Sequence, residues 1–193
     1  PGTGWSKELG EADGAGYAVN VPLPPGTSDR GWLRAFHAIV PTLLRVYRPQ
    51  ILVTQCGVDT HAEDPLASLA LSVDGHRAIY AALRQLAEET AEGRWLAFGG
   101  GGYALFRVVP RSWTHLIATV LDRDVSPLRP LPAGWVAHTA ELTNQPLPTT
   151  MSDGRDVDFE PWTEGGDHVD RAVLETRRAI FPFYGLDPDD PRD

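Results

Sequence analysis

The sequence predicts an α/β fold in which a parallel sheet is flanked by helices and followed by an irregular C-terminal extension. Two short apolar runs, residues 51–55 and 95–98, are typical of strands buried inside a parallel sheet. Amphipathic segments with apolar residues three and four positions apart follow the candidate strands. This alternation of strand and helix favours crossover connections, which produce parallel strands.

The first half of the chain supplies the first strand and helix of this prediction. Residues 1–16 are rich in glycine and polar residues and indicate a loop, whereas residues 17–23 alternate and predict a strand. The spacing of apolar residues predicts a helix up to Arg48, with Ser28 or Asp29 as its cap. Pro41 lies inside that pattern and is expected to kink or split the helix.

The middle of the chain repeats the pattern twice. A loop over residues 56–71 follows the strand 51–55, and a helix is predicted over 74–92 with Gly93 as its stop. The strand 95–98 leads into four consecutive glycines and then a helical stretch with Pro110 near its middle.

A change of composition near residue 124 predicts a boundary. Residues 1–124 are expected to form the α/β domain, and residues 125–193 an extension with one helix, over 167–181. Prolines punctuate the start of this extension, and its tail, residues 187–193, is expected to be disordered.

Composition narrows the classes of function. The net charge of −9 argues against nucleic acid as a primary partner and suits a cationic or acylated-amine substrate better. The single cysteine, Cys56, excludes an intramolecular disulfide and a cysteine-rich metal site. No apolar run is long enough for a membrane span and no signal peptide is visible, so we expect no membrane association and a cytoplasmic location.

Asp59 follows the first buried strand and is the first candidate for chemistry. A carboxylate at the carboxyl end of a parallel strand, after a glycine that lets the backbone turn, can ligate a divalent ion. His61, Glu63 and Asp64 bring the potential ligands to four within six residues. The alternative is structural, with Asp59 capping a turn and the other side chains solvated.

Tyr103 follows the second buried strand and the four glycines Gly99–Gly102. Glycines allow a substrate to approach the backbone closely, and a phenol stays protonated at neutral pH, so Tyr103 could donate a hydrogen bond to an oxyanion. The alternative is a flexible turn followed by a packing tyrosine. Cys56 and three histidines, His37, His76 and His115, are expected to have surface or structural roles.

Several strings occur in the order and approximate spacing of the histone deacetylase superfamily, which the chain therefore resembles, most of all the bacterial acetoin-utilisation deacetylases. The strings that carry the resemblance are Pro1–Gly4, Tyr17–Leu23, Gln55–Asp59, Glu63–Leu66, Gly99–Tyr103 and Arg111–Thr114. The resemblance covers residues 1 to about 124 well. It implies that residues 1–124 are the C-terminal part of a deacetylase catalytic domain, built on the C-terminal part of an arginase/deacetylase-like parallel sheet.

The resemblance also implies site residues. Asp59 would be one of two aspartate ligands to a catalytic zinc, and Tyr103 the tyrosine that binds the substrate carbonyl. Leu66, Gly101 and Gly102 would line the acyl-lysine channel. The cofactor would be Zn²⁺ or another divalent ion, with structural K⁺ in the full-length parent.

The implied reaction is hydrolysis of an acetyl amide on a protein lysine or a small amine, linked to acetoin or acetate metabolism. The tandem histidines and the remaining zinc ligands of the family lie upstream of its Pro-Gly-Thr-Gly motif, and therefore before Pro1. Residues 1–193 by themselves are accordingly expected to be inactive and poorly soluble. A non-catalytic module that binds a cation or a basic peptide, and an arginase-like ureohydrolase, are the alternatives.

Overall fold

A computed structural model describes residues 3–190, which fall into two compact units. Within the described residues, one unit comprises residues 3–49 with 158–190, and the other comprises Gln50–Val157. The helices and strands are, in chain order, α1 (Asp29–Tyr47), β1 (Leu52–Gln55), α2 (Val73–Ala91), β2 (Trp95–Phe98), α3 (Val109–Val120), α4 (Ala133–Leu142) and α5 (His168–Ile180). A parallel sheet with flanking helices confirms the α/β prediction.

The two strands pair in parallel, in a register that runs from Leu52 opposite Trp95 to Gln55 opposite Phe98. The pairing continues beyond the strands, because the Cys56 amide donates to the Phe98 carbonyl at 2.8 Å and the Val58 amide to the Gly101 carbonyl at 2.6 Å. The loops that follow β1 and β2 therefore run side by side at the carboxyl end of the sheet.

The expectation that both strands are buried on both faces is wrong. Val53, Leu96 and Phe98 are 58%, 49% and 53% exposed, respectively. The register places Val53 opposite Leu96, so these side chains form one apolar face of the sheet. Alternate side chains point to opposite faces of a strand, and within residues 3–190 only the other face is covered.

The unit that contains the sheet has its core under the loop after β1. Val58, Val73 and Val108 are fully buried and pack together, with Val109 and Trp113 against them. The indole N–H of Trp113 donates to the Cys56 carbonyl at 3.0 Å. The first turn after β1 is thereby fixed to α3.

The other unit is helical. Helix α1 packs against α5 through a core that includes Ile39, Val173 and Phe181. Pro41 does not split α1, which continues over 19 residues with Pro41 buried inside it. Helix α5 begins at a reciprocal capping box between Asp167 and Asp170.

The predicted strand over residues 17–23 is absent. Within residues 3–190 this segment belongs to no strand; the Ala18 amide donates to the Leu9 carbonyl, and Val21 and Leu23 pack against the helical core. An alternating pattern of apolar residues indicates only that alternate side chains are buried. A strand also needs a neighbouring strand with which to exchange backbone hydrogen bonds.

Three further expectations about the second half need correction. Pro110 lies in the first turn of α3, where its missing N–H costs nothing, and not near the middle of the helix. Helix α4, between the prolines of the extension, was not predicted. Residues 187–190 are held by hydrogen bonds from Arg177 to their carbonyls.

Pro1 and Gly2 of the N-terminal motif, and residues 191–193 of the predicted disordered tail, lie outside the described residues. None of the helices in the described part of the chain combines the length and apolarity that crossing a membrane requires.

Candidate active site

Asp59 lies in the loop after β1, where the structure packs it against the glycine run. A methyl group at Gly101 would fall 2.7 Å from Cγ of Asp59 and closer still to its Oδ2. Only a residue without a side chain leaves room for the carboxylate there. The structure therefore brings together two of the predicted site residues, Asp59 and Gly101.

The other glycines of the run are packed just as closely. A methyl group at Gly100 would lie 2.5 Å from Nε2 of Gln55, and one at Gly102 would lie 2.6 Å from Cγ2 of the buried Val58. Gly100, Gly101 and Gly102 are therefore closely packed, which argues against the alternative of a flexible turn. The glycines allow the two loops to approach each other at backbone distance.

Tyr103 follows the run and is 49% exposed. Its amide donates to Oδ2 of Asp64 at 2.9 Å, so the loop after β1 holds the start of the tyrosine loop. Tyr103 lines a cavity of about 430 Å³ together with Glu63, Pro65 and residues 104–107, 143, 145 and 146. Asp59 and Tyr103 both lie at the carboxyl end of the sheet, but Asp59 does not line this cavity.

Leu66, the third predicted wall of the channel, is 70% exposed. Its amide donates to Oδ1 of Asp64 at 2.9 Å, and it does not line the cavity next to Tyr103. Because the Tyr103 amide donates to the other oxygen of the same carboxylate, Asp64 holds the backbones of Leu66 and Tyr103 near each other.

The idea that the loop 59–64 presents four metal ligands is wrong, because three of the four side chains have other partners. His61 is 3% exposed and contacts Asp153. Glu63 forms a two-point ion pair with Arg107, at 2.5 and 3.0 Å. Asp64 accepts hydrogen bonds from the amides of Leu66, Ala67 and Tyr103.

The electrostatics of Glu63 and Asp64 agree with these contacts. The hydrogen bond from Arg107 lowers the pKa of Glu63 against the opposing effect of burial. Burial opposes ionisation of Asp64, but its backbone amide donors outweigh that effect and lower its pKa. Both carboxylates are charged groups that stabilise the loop.

Residues 3–190 do not by themselves complete a zinc site. Zinc takes three protein ligands in catalytic sites and four in structural ones. Within residues 3–190 no group of three histidine, cysteine, aspartate or glutamate side chains is placed to hold a metal ion. Asp59 can supply one oxygen ligand, and a metal there would need further ligands.

Asp153 is the residue of this site that sequence reasoning missed. One carboxylate oxygen accepts from Nε2 of His61 at 2.9 Å and from the Val73 amide at 2.8 Å, and the other from Nη1 of Arg111 at 2.8 Å. Burial opposes its ionisation, but these donors outweigh burial and hold its pKa well below its usual range. The sequence Ser152-Asp153-Gly154, far along the chain from His61, does not indicate that Asp153 has these partners.

The predictions for Cys56 and two histidines are confirmed. Cys56 is buried, and burial raises the pKa of its thiol. His76 is 2% exposed between the hydroxyls of Thr60 and Ser112, and burial lowers its pKa to about 3. His115 is buried against the Met151 carbonyl at 2.9 Å.

Comparison with known proteins identifies relatives. The family model described as "Histone deacetylase domain" matches residues 1–120. The acetoin utilization protein AcuC of Bacillus subtilis (strain 168) is 32% identical over 181 residues, which are 94% of this chain and 46% of that protein. AcuC of Staphylococcus xylosus is 33% identical over 156 residues, 81% of this chain and 40% of that protein.

The solved structures show the same fold. The crystal structure of the HDA15 HD domain superposes with a TM-score of 0.65 at 22% identity, covering 96% of this chain and 40% of that one. The chain thus spans less than half the length of the curated relatives it matches.

Proposed function

Because the chain belongs to the histone deacetylase family, we propose that the whole protein is a deacetylase that hydrolyses acetyl-lysine in proteins or a related small acetyl amide. The names of the AcuC relatives support a role in acetoin utilisation. The observation that carries the proposal is the packing of the Asp59 carboxylate against Gly101, two residues before Tyr103, where the loops after two parallel strands meet. Chemistry in open α/β sheets is found at this end of the strands.

Tyr103 is the proposed catalytic residue of this chain. Its phenol can donate a hydrogen bond to the oxyanion that develops when an acetyl amide is attacked, and such a donor contributes about 3–4 kcal/mol. The bond from the Tyr103 amide to Asp64 supports this role, because it fixes the backbone from which the phenol projects. Gly101, Gly102 and Leu66 are proposed to line the substrate channel.

The proposed cofactor is Zn²⁺ or a similar divalent ion, with Asp59 as one ligand. Within residues 3–190 the Asp59 carboxylate is not engaged by an amide or a cation, in contrast to Glu63 and Asp64, and it is therefore available for such a role. Since residues 3–190 do not complete a metal site, we expect residues 1–193 alone not to hydrolyse an acetyl-lysine reporter.

The alternative of a cation-binding or peptide-binding module is less well supported. Such a module would use the acidic loop 59–64, but the side chains of His61, Glu63 and Asp64 are engaged inside the protein. An arginase-like ureohydrolase needs two metal ions and more histidine and aspartate ligands than this loop offers.

Zinc titration of the full-length protein tests the proposal. We expect about one tight site, lost in Asp59→Ala, and zinc-dependent deacetylation of an acetyl-lysine peptide. Asp124→Ala, at an exposed position of the same unit, is the matched control and should change neither result. Binding of a basic peptide without zinc uptake or deacetylation would favour the binding module instead.

A further inference from the structure

We propose that Asp153 is a positioning residue that, through His61, fixes the loop carrying Asp59 and Asp64 and thereby the backbone of Tyr103. The kinetic part of this inference rests on the proposed function. The structural part concerns only contacts within the unit Gln50–Val157.

The first step is the contact between Asp153 and His61. The Glu63 amide donates to Nδ1 of His61 at 3.0 Å, so Nδ1 carries a lone pair and the ring proton is on Nε2. Nε2 therefore donates to Asp153 at 2.9 Å. Both ring nitrogens are used, and the imidazole can take one orientation only.

The second step connects His61 to the two predicted site residues, Asp59 and Tyr103. The His61 amide donates to the Val58 carbonyl at 3.2 Å, across Asp59, and its carbonyl accepts from the Asp64 amide at 2.9 Å. Asp64 in turn accepts from the Tyr103 amide. His61 thus lies between the residue proposed to bind metal and the residue that holds the tyrosine loop.

The third step is the rigidity of Asp153 itself. Its amide and that of Arg155 donate to Oδ2 of Asp74, each at 3.0 Å, and Ser152 Oγ donates to the same carboxylate. The Asp153 side chain is 19% exposed, and its other oxygen is held by the buried Arg111. A carboxylate anchored to the start of α2 and to α3 is a fixed point from which an imidazole can be oriented.

Groups that orient the residues of a site without touching substrate contribute measurably, and their loss costs about 10–100-fold in affinity or activity. In the full-length protein we expect Asp153→Ala to lower kcat by about tenfold or more with little change in KM. Asp124→Ala, at an exposed position of the same unit and outside this network, should leave kcat unchanged. The effects of Asp153→Ala and His61→Ala on kcat should be far from additive.

Hydrogen exchange on the full-length protein gives a readout that does not need activity. In Asp153→Ala we expect the amides of Glu63 and Tyr103 to exchange about tenfold faster or more, while those in the middle of α3 keep their rates. Wild-type rates at Glu63 and Tyr103, or faster exchange throughout α2 and α3, would overturn the proposal. Local loosening with an unchanged kcat would overturn its kinetic part.

The two proposals can fail separately. If the full-length protein deacetylates no acetylated peptide or amine, the proposed function is wrong and the exchange rates still decide whether Asp153 orders the loop. If deacetylation is robust and insensitive to Asp153→Ala, the positioning role is wrong and the proposed function stands.

Discussion

The carboxylate of Asp59 occupies the space where a side chain on Gly101 would begin. A Cβ at that position would lie 2.7 Å from the Asp59 Cγ, and the Val58 amide is bonded to the Gly101 carbonyl at 2.6 Å. The proposed metal ligand is thus located by the backbone of the loop after the neighbouring strand, and the glycine is part of the site although it has no functional group.

Gly101→Ala should displace the Asp59 carboxylate or separate the two loops. We expect a loss of about 1–3 kcal/mol in the free energy of unfolding, as for other overpacked positions, and weaker zinc binding by the full-length protein. Urea denaturation and zinc titration measure the two effects. Gly134→Ala is the control, because nothing lies within 4 Å of its added methyl group; equal losses in both variants would contradict the steric argument.

Tyr103→Phe removes only a hydroxyl from a half-exposed side chain. We expect kcat for an acetyl-lysine peptide to fall by about 10²–10³-fold, with an unchanged melting temperature, because the bond from the Tyr103 amide to Asp64 remains. Steady-state kinetics and thermal unfolding test this. Tyr17→Phe, at another exposed tyrosine, is the control; a fully active Tyr103→Phe would remove the proposed oxyanion donor.

His76 predicts a pH dependence of stability. Its pKa falls from the ordinary 6.5 to about 3 on burial. Between these pH values His76 is protonated in the unfolded chain and neutral in the folded chain. Stability should therefore decline as pH falls from about 6.5 towards 3, with up to about 1.4 kcal/mol per pH unit from this group. Burial lowers the pKa values of His37 and His115 in the same direction.

The contribution of His76 can be isolated by His76→Gln. Urea denaturation between pH 4.5 and 6.5, a range chosen because it lies above the ordinary carboxyl pKa values, should show a shallower slope for the variant than for the wild type. His138→Gln, which replaces an exposed histidine, is the control and should keep the full slope. Identical slopes in wild type and His76→Gln would contradict the assignment.

Arg177 should be a principal stabilising residue of the helical unit. It is fully buried, lies over the rings of Trp162 and Phe181, and donates to the Ala38 carbonyl at 2.7 Å. Arg177→Ala removes these contacts and creates a cavity, so we expect a loss of about 3–5 kcal/mol.

Limited proteolysis and thermal unfolding check this prediction. The variant should be cleaved within residues 187–190, whose carbonyls Arg177 binds, more readily than the wild type. Arg178→Ala is the matched control, since this neighbour forms exposed ion pairs with Glu164 and Asp189 that contribute little. Similar losses in the two variants would show that burial of Arg177 is not the cause.

Local patterns predicted most of the elements. The runs 51–55 and 95–98 are strands, and α1, α2 and α5 lie close to their predicted bounds, because the period of apolar residues reports the secondary structure of a segment. Helix α4 was missed since prolines around it suggested an irregular region. The segment 17–23 was misassigned because alternation alone does not supply a neighbouring strand.

The order of strands and helices also determined that Asp59 and Tyr103 lie at the same end of the sheet, since successive parallel strands end on the same edge. The tertiary structure alone decided which side chains are engaged elsewhere: His61 with Asp153, Glu63 with Arg107, and Arg177 with the carbonyls of residues 187–190. The physical reason is that the chemical type of a charged or polar side chain determines only which kind of hydrogen-bonding or ionic partner it requires. Which partner it meets depends on packing between segments far apart in the chain.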